Sequence, residues 1–129
     1  MNEVMRQWVV ALRSGEYRQT TNTLEFIDEG GSSSYCCLGV LCKLAERAKV
    51  VERSAVISEV AYGHSYKMPP DEVLEWAGLS FETANEYTKM NDKAGMNFNE
   101  IADKIEKEQR DGEETWESIA APNTDITTT

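Results

Sequence analysis

Three cysteines fall within the run Tyr35-Cys36-Cys37-Leu38-Gly39-Val40-Leu41-Cys42, where strand-like residues give way to a helical pattern. A thiol at a helix N-terminus sits at the positive end of the helix dipole, which favours the reactive thiolate. Cys36 and Cys37 are therefore the nucleophile candidates, Cys37 the better if the helix begins there. A base would have to be His64, the single histidine. The same residues also read as packing. Leu38-Gly39-Val40-Leu41 is apolar, Cys42 shares a helical stripe with Leu38 and Ala45, and cysteine packs as a small hydrophobe. Packing is the favoured reading, so no catalytic residue is expected, and a hydrolase using Cys37 and His64 is the alternative. The cysteines lack a Cys-x-x-Cys spacing, and one histidine does not complete a tetrahedral set. Neither a metal nor a cofactor is expected.

Two non-covalent readings stand beside the thiol. The net charge is −10, and residues 1–67 carry eight basic and eight acidic side chains. The whole excess lies in residues 68–129. Such a surface disfavours nucleic-acid phosphate and suits a partner with a basic surface. Glu100–Lys104, Asp103–Lys107 and Glu106–Arg110 are helix pairs at i,i+4, and Asp71 and Glu72 suit a helix start. The acids left as partner-binding candidates are Glu82, Glu86, Glu108, Asp111, Glu113, Glu114 and Glu117, whose bland reading is a solvated face. Arg18, Tyr35, Asn91 and Asp92 are candidates for a pocket that takes a small nucleotide or signal molecule. Asn91-Asp92 followed by Gly95 has an equally simple reading as turn chemistry.

The elements that must position these residues follow from periodicity. Val4, Met5, Trp8, Val9 and Leu12 form one helical stripe that Gly15 ends. Thr21 to Ile27 and Tyr35-Cys36 read as strands around the Gly30–Ser34 turn, and Val50-Val51 with Ala55 to Tyr62 as a further extended pair. Leu38, Leu41, Cys42, Ala45 and Ala48 mark a second amphipathic helix. Pro69-Pro70-Asp71-Glu72 opens a helix that stops at Gly78, and Ser80 opens another to Met90. Asn97 and Glu100 have the spacing of a capping box before Phe98, Ile101, Ala102 and Ile105. The expected fold is α+β, a small antiparallel sheet from residues about 21–36 and 50–67 packed against four or more helices. Its core should hold Trp8, Leu12, Leu38, Leu41, Cys42, Trp76, Phe98, Ile101 and Ile105. Residues 1–110 read as one domain, and 111–129 as an acidic then Thr-rich tail, partly disordered.

Nothing in the chain reaches the roughly 18 apolar residues of a membrane span, and no basic-then-apolar leader opens it. No membrane partner is expected. An odd number of cysteines, two of them adjacent, suits a reducing cytoplasm. Trp8 with Ala11-Leu12-Arg13-Ser14-Gly15-Glu16-Tyr17-Arg18-Gln19 resembles a recurring opening of small proteins from tailed bacteriophages and prophages. So do Tyr35 to Cys42, the stretch around Glu75-Trp76-Ala77-Gly78, and Met90-Asn91-Asp92 leading to Phe98 and Glu100-Ile101-Ala102-Asp103. Similar sequences often carry an acid after the third cysteine, where this chain has Lys43. The resemblance spans residues 8–106 and implies a setting rather than a mechanism. The expectation is a non-enzymatic accessory protein that inhibits a host factor in the bacterial cytoplasm, in the manner of anti-defence proteins. Oligomeric state is left open.

Overall fold

A computed structural model describes the backbone of residues 1–120 and the side chains of residues 1–110. Among the described residues there are five helices: α1 (Glu3–Arg13), α2 (Cys37–Arg47), α3 (Asp71–Ala77), α4 (Phe81–Asp92) and α5 (Phe98–Ala120). The strands β1 (Arg18–Gln19), β2 (Glu25–Ile27), β3 (Ser33–Tyr35), β4 (Arg53–Val56) and β5 (Glu59–Tyr62) make one sheet in the order β1-β3-β2-β5-β4. The fold is α+β, with the sheet packed against the helices. All pairings are antiparallel except β1 with β3, which run parallel, so the sheet is mixed. The two-residue β1 escaped the sequence because Arg18-Gln19 carries no hydrophobic alternation.

Helix boundaries sit where their capping chemistry puts them. Asn2 and Ser80 accept the backbone N–H of Met5 and Thr83 at the starts of α1 and α4. Asn97 and Glu100 bond each other's backbone N–H reciprocally, at 2.9 and 2.8 Å. Gly78 ends α3 at φ 70°, the left-handed conformation in which glycine carries no steric penalty. Asn91 and Asp92 are not in a turn, as their type suggested; both belong to the last turn of α4. Helix α5 passes residue 110 and continues to Ala120. The tail proposed for 111–129 otherwise falls outside the described residues.

Helix α2 is the centre of the packing: it contacts α1, α3, α4 and β3, and Cys37 through Cys42 are all buried. Of the nine expected core residues, Trp76 alone is only partly buried, packed at the margin of the cluster. Val73, Leu74 and Ala77 fill the α3 face instead, because a seven-residue helix presents little more than one stripe. Gly39 has a specific cause. A Cβ there would overlap the carbonyl oxygen of Leu24, which also accepts the N–H of Cys36 at 3.3 Å. In an exposed helix Gly→Ala stabilises by about 1 kcal/mol. Here Gly39→Ala should destabilise instead, by about 1–3 kcal/mol of overpacking. Leu41→Ala, emptying a fully buried site, should cost about 2–5 kcal/mol. Urea denaturation measures both; a gain for the first or a loss well under 1 kcal/mol for the second would contradict this packing.

Candidate functional site

The three thiols are free and buried. Cys36 is the N-cap of α2, and its sulfur accepts the backbone N–H of Gly39 at 3.3 Å, the place a serine oxygen usually takes. Cys37 is held on three sides. Its N–H donates to Asn91 Oδ1 at 3.1 Å, its carbonyl accepts the Trp8 indole N–H at 2.8 Å, and its sulfur lies 3.5 Å from the Tyr87 carbonyl oxygen. Burial pushes the Cys36 thiol up to about 12 and raises Cys37 and Cys42 well above the ordinary value. Desolvation thus outweighs the helix dipole, the reverse of what a nucleophile needs. His64 is exposed, while the cysteines are interior. The arrangement places each thiol as a packed or capping group.

The pocket candidates do converge in part, but on each other. Asn91 is 1% exposed. Its oxygen accepts from Gln19 Nε2 (2.8 Å) and Cys37 N, and its nitrogen donates to the Thr20 carbonyl (2.8 Å) and to Asp92 Oδ1 (2.8 Å). Both donors and both acceptor positions of the amide are used. Asp92 also accepts the N–H of Asn22 at 3.0 Å. Tyr35 is buried edge-on against Tyr17, ring centroids 5.3 Å apart, and Arg18 pairs with Asp28 at 2.8 Å on the surface. Gln19, Asn91 and Asp92 thus clasp β1 and the residues after it to α4, and no polar group of Asn91 is left for a ligand.

A second buried polar centre was not anticipated. Glu25 is fully buried on β2 and receives two hydrogen bonds from the Arg53 guanidinium, 2.9 and 2.7 Å. Ser33 and Tyr62 donate their hydroxyls to the same carboxylate. Strand register puts all four on one face, since Glu25 is opposite Tyr35 and Arg53 opposite Tyr62. Burial raises the Glu25 pKa; the bonds from Arg53, Ser33 and Tyr62 outweigh it and hold the carboxyl below its usual 4.5. The available signal was an acid and an arginine at strand positions.

The acidic candidates that are described, Glu82, Glu86 and Glu108, are exposed on α4 and α5, two helices in contact. The Glu108 carboxylate accepts the Tyr87 hydroxyl at 2.7 Å, and that bond together with burial raises the Tyr87 pKa. Asp103 and Glu106 are drawn across to Arg13 of α1. The side chains of Asp111, Glu113, Glu114 and Glu117 lie outside the described residues. Lys43, where similar sequences carry an acid, pairs with Glu46 at 3.1 Å. A shallow groove of about 370 Å³ runs between α1 and α2, floored by Val10, Ala11, Tyr17 and Leu44 with Arg6 and Arg47 at its rim. Among the described residues no cluster of His, Cys, Asp and Glu fits a metal ion, and no helix is long and apolar enough to cross a membrane.

The chain belongs to the family described as a domain of unknown function, DUF8296, whose model matches residues 1–109. No curated protein and no solved structure matches it.

Two outcomes test these assignments. All three cysteines should react slowly with iodoacetamide near neutral pH and label only on unfolding; fast labelling of one, suppressed by His64→Ala, would restore the nucleophile. Glu25, with its lowered folded pKa, contributes stability that is complete above the unfolded value near 4.5 and is lost as the pH falls through the folded value. Arg53→Met, which strands a buried carboxylate, should cost about 3–5 kcal/mol at neutral pH and less in acid. A variant equally destabilised at both pH values would contradict the pairing.

Proposed function

We propose that this chain is a non-enzymatic binding protein of the phage accessory type, which occupies a host factor through that factor's basic surface. The observation that carries the reading is the pair of exposed helices α4 and α5. They present Glu82, Glu86 and Glu108 on adjoining surfaces, with Glu108 positioned by the Tyr87 hydroxyl. A carboxylate fixed by a neighbouring donor loses less freedom on meeting a cation than a mobile one does. Both helices lie within residues 68–129, where acids exceed bases fifteen to five. Such a field speeds encounter with a basic partner and repels nucleic acid. Free, buried cysteines suit the reducing cytoplasm of a bacterial host. The motif resemblance supplies the phage setting, and inhibition of a host defence component is the role within it.

The measurement is a pull-down from host lysate followed by affinity measured at two salt concentrations. Binding should weaken as salt rises. Glu82→Lys with Glu86→Lys should abolish it without unfolding the domain, and so should Glu113, Glu114 and Glu117 all changed to Lys. Retention of the same partner by both variants would exclude the acidic contact.

A further inference from the structure

The edge strand β4 turns into β5 through two residues, Ile57 and Ser58, since Val56 pairs with Glu59. Ile57 has φ 60°. Two-residue hairpin turns place Gly, Asn or Asp where φ is positive, because a Cβ there crowds the carbonyl that follows. A β-branched side chain suits that conformation least. Among the described residues three non-glycine side chains have positive φ, Asn22, Lys49 and Ile57, and Ile57 alone is β-branched. Packing does not offset the strain, because Ile57 is 92% exposed. Single apolar residues on a surface are ordinary. One that opposes its own backbone and buries nothing is not.

The surroundings give this tip a chemistry. Val56, 66% exposed, precedes Ile57, and Glu59 links Val56 in one row of the sheet to Phe26, which is also exposed. The Ile27 N–H donates to the Ser58 carbonyl at 3.1 Å, which sets the hairpin beside the turn that follows β2. That turn carries Glu29, exposed as Glu59 is. The cations nearby are committed elsewhere, Arg53 to Glu25 and Arg18 to Asp28. An apolar tip therefore stands among exposed acids. Such a site repels the phosphates of nucleic acid and of anionic lipid alike, and favours a surface that carries cations.

We infer that the β4–β5 tip anchors a host protein: Ile57 enters an apolar pocket of that protein, and Glu29 and Glu59 meet Lys or Arg at the pocket's rim. Interfaces concentrate their energy in a few side chains seated in water-free pockets and ringed by polar contacts. A side chain on a two-residue turn, held by the four register pairs of β4 with β5, has little freedom left to lose on binding. Glycine would relieve the turn, so the isoleucine is explained by what its side chain meets outside the chain. The inference rests on the reading of this protein as a binder of a host protein. It adds a contact on the sheet to the one proposed for α4 and α5.

Photo-crosslinking of the full chain in host lysate, with a benzophenone amino acid in place of Val56, tests it, and thermal unfolding of each variant runs beside it. Ile57→Gly should melt at or above the wild-type midpoint, because it relieves the turn. The same change should cut the adduct with the host protein by about tenfold or more, a loss that unfolding then does not explain. Ile57→Val should keep the adduct. Glu29→Lys with Glu59→Lys should weaken it, as should rising salt. A midpoint lowered by Ile57→Gly overturns the inference. So does an adduct that Ile57→Gly leaves at full strength, an adduct made only with a second copy of this chain, or none at all. Loss of the partner with Glu82→Lys and Glu86→Lys but not with Ile57→Gly overturns the anchor and leaves the helical contact standing. Loss with Ile57→Gly alone supports the anchor and removes the helical contact.

Discussion

The start of helix α2 is where this structure is fixed, and a single amide fixes it. The first N–H groups of a helix have no partner within it, and those of α2 are buried, where an unmet donor costs about 1–3 kcal/mol. Asn91 of α4 meets the N–H of Cys37, Cys36 caps the N–H of Gly39, and Trp8 of α1 bonds the Cys37 carbonyl. Three helices are thereby located against one residue before any apolar contact is counted. The other half of the Asn91 amide reaches Thr20, and its oxygen also takes Gln19, so the chain segment around β1 is located by the same group. A hydrophobe of similar size would fill the volume and leave Cys37 N and Thr20 O unmet. Helix α4 would then lose its register on the rest.

The Glu25 centre does for the sheet what Asn91 does for the helices. Its carboxylate gathers Ser33 from β3, Arg53 from β4 and Tyr62 from β5 around β2. The strands are only two to four residues long, and β2 and β5 share a single register pair. Ladders so short specify register weakly, and a slip by one residue reverses every side chain. A buried carboxylate with four converging bonds penalises each alternative register, because a displaced arginine would leave the charge unmet. The gain lies in specificity more than in net stability, since desolvation of Glu25 opposes much of the attraction.

What could be read in the sequence was what is decided locally. The capping box at Asn97, the cap at Ser80, the stop at Gly78 and the apolar stripe of α2 all depend on residues within a few positions of each other. So does the α+β architecture, which follows from the order of strand-like and helical periods. The two polar centres were illegible because their partners are far apart in sequence: Glu25 and Arg53 are 28 residues apart, Asn91 and Cys37 54. Asn91 had the type of a turn residue, and only its burial shows it to be a structural amide. Trp76 illustrates the opposite error. Its size suggested the core, but the short α3 places it at the margin. Of the candidate pocket residues, Asn91 and Asp92 bond the backbone of Thr20 and Asn22 after β1, while Arg18 and Tyr35 make their contacts elsewhere, with Asp28 and Tyr17.

That internal use of polar groups bears on where function can lie. The thiols, the asparagine amide and the buried carboxylate, which in another fold would be the reactive groups, are each committed to holding secondary structure in place. Their pKa shifts have the sign that commitment produces: burial raises the thiols, and the donors around Glu25 lower its carboxyl. Perturbed groups mark functional sites only when a ligand can reach them. Here the perturbed thiols and Glu25 are sealed, while carboxylates on α4 and α5, the groove between α1 and α2 and the uncharged edge of β4 are exposed. Charge over a helical surface and backbone along a strand are two distinct modes of recognition. These modes differ in their physics, since the first is screened by salt and the second is not. The sequence keeps them apart, with the edge in the neutral half and the carboxylates in the acidic half.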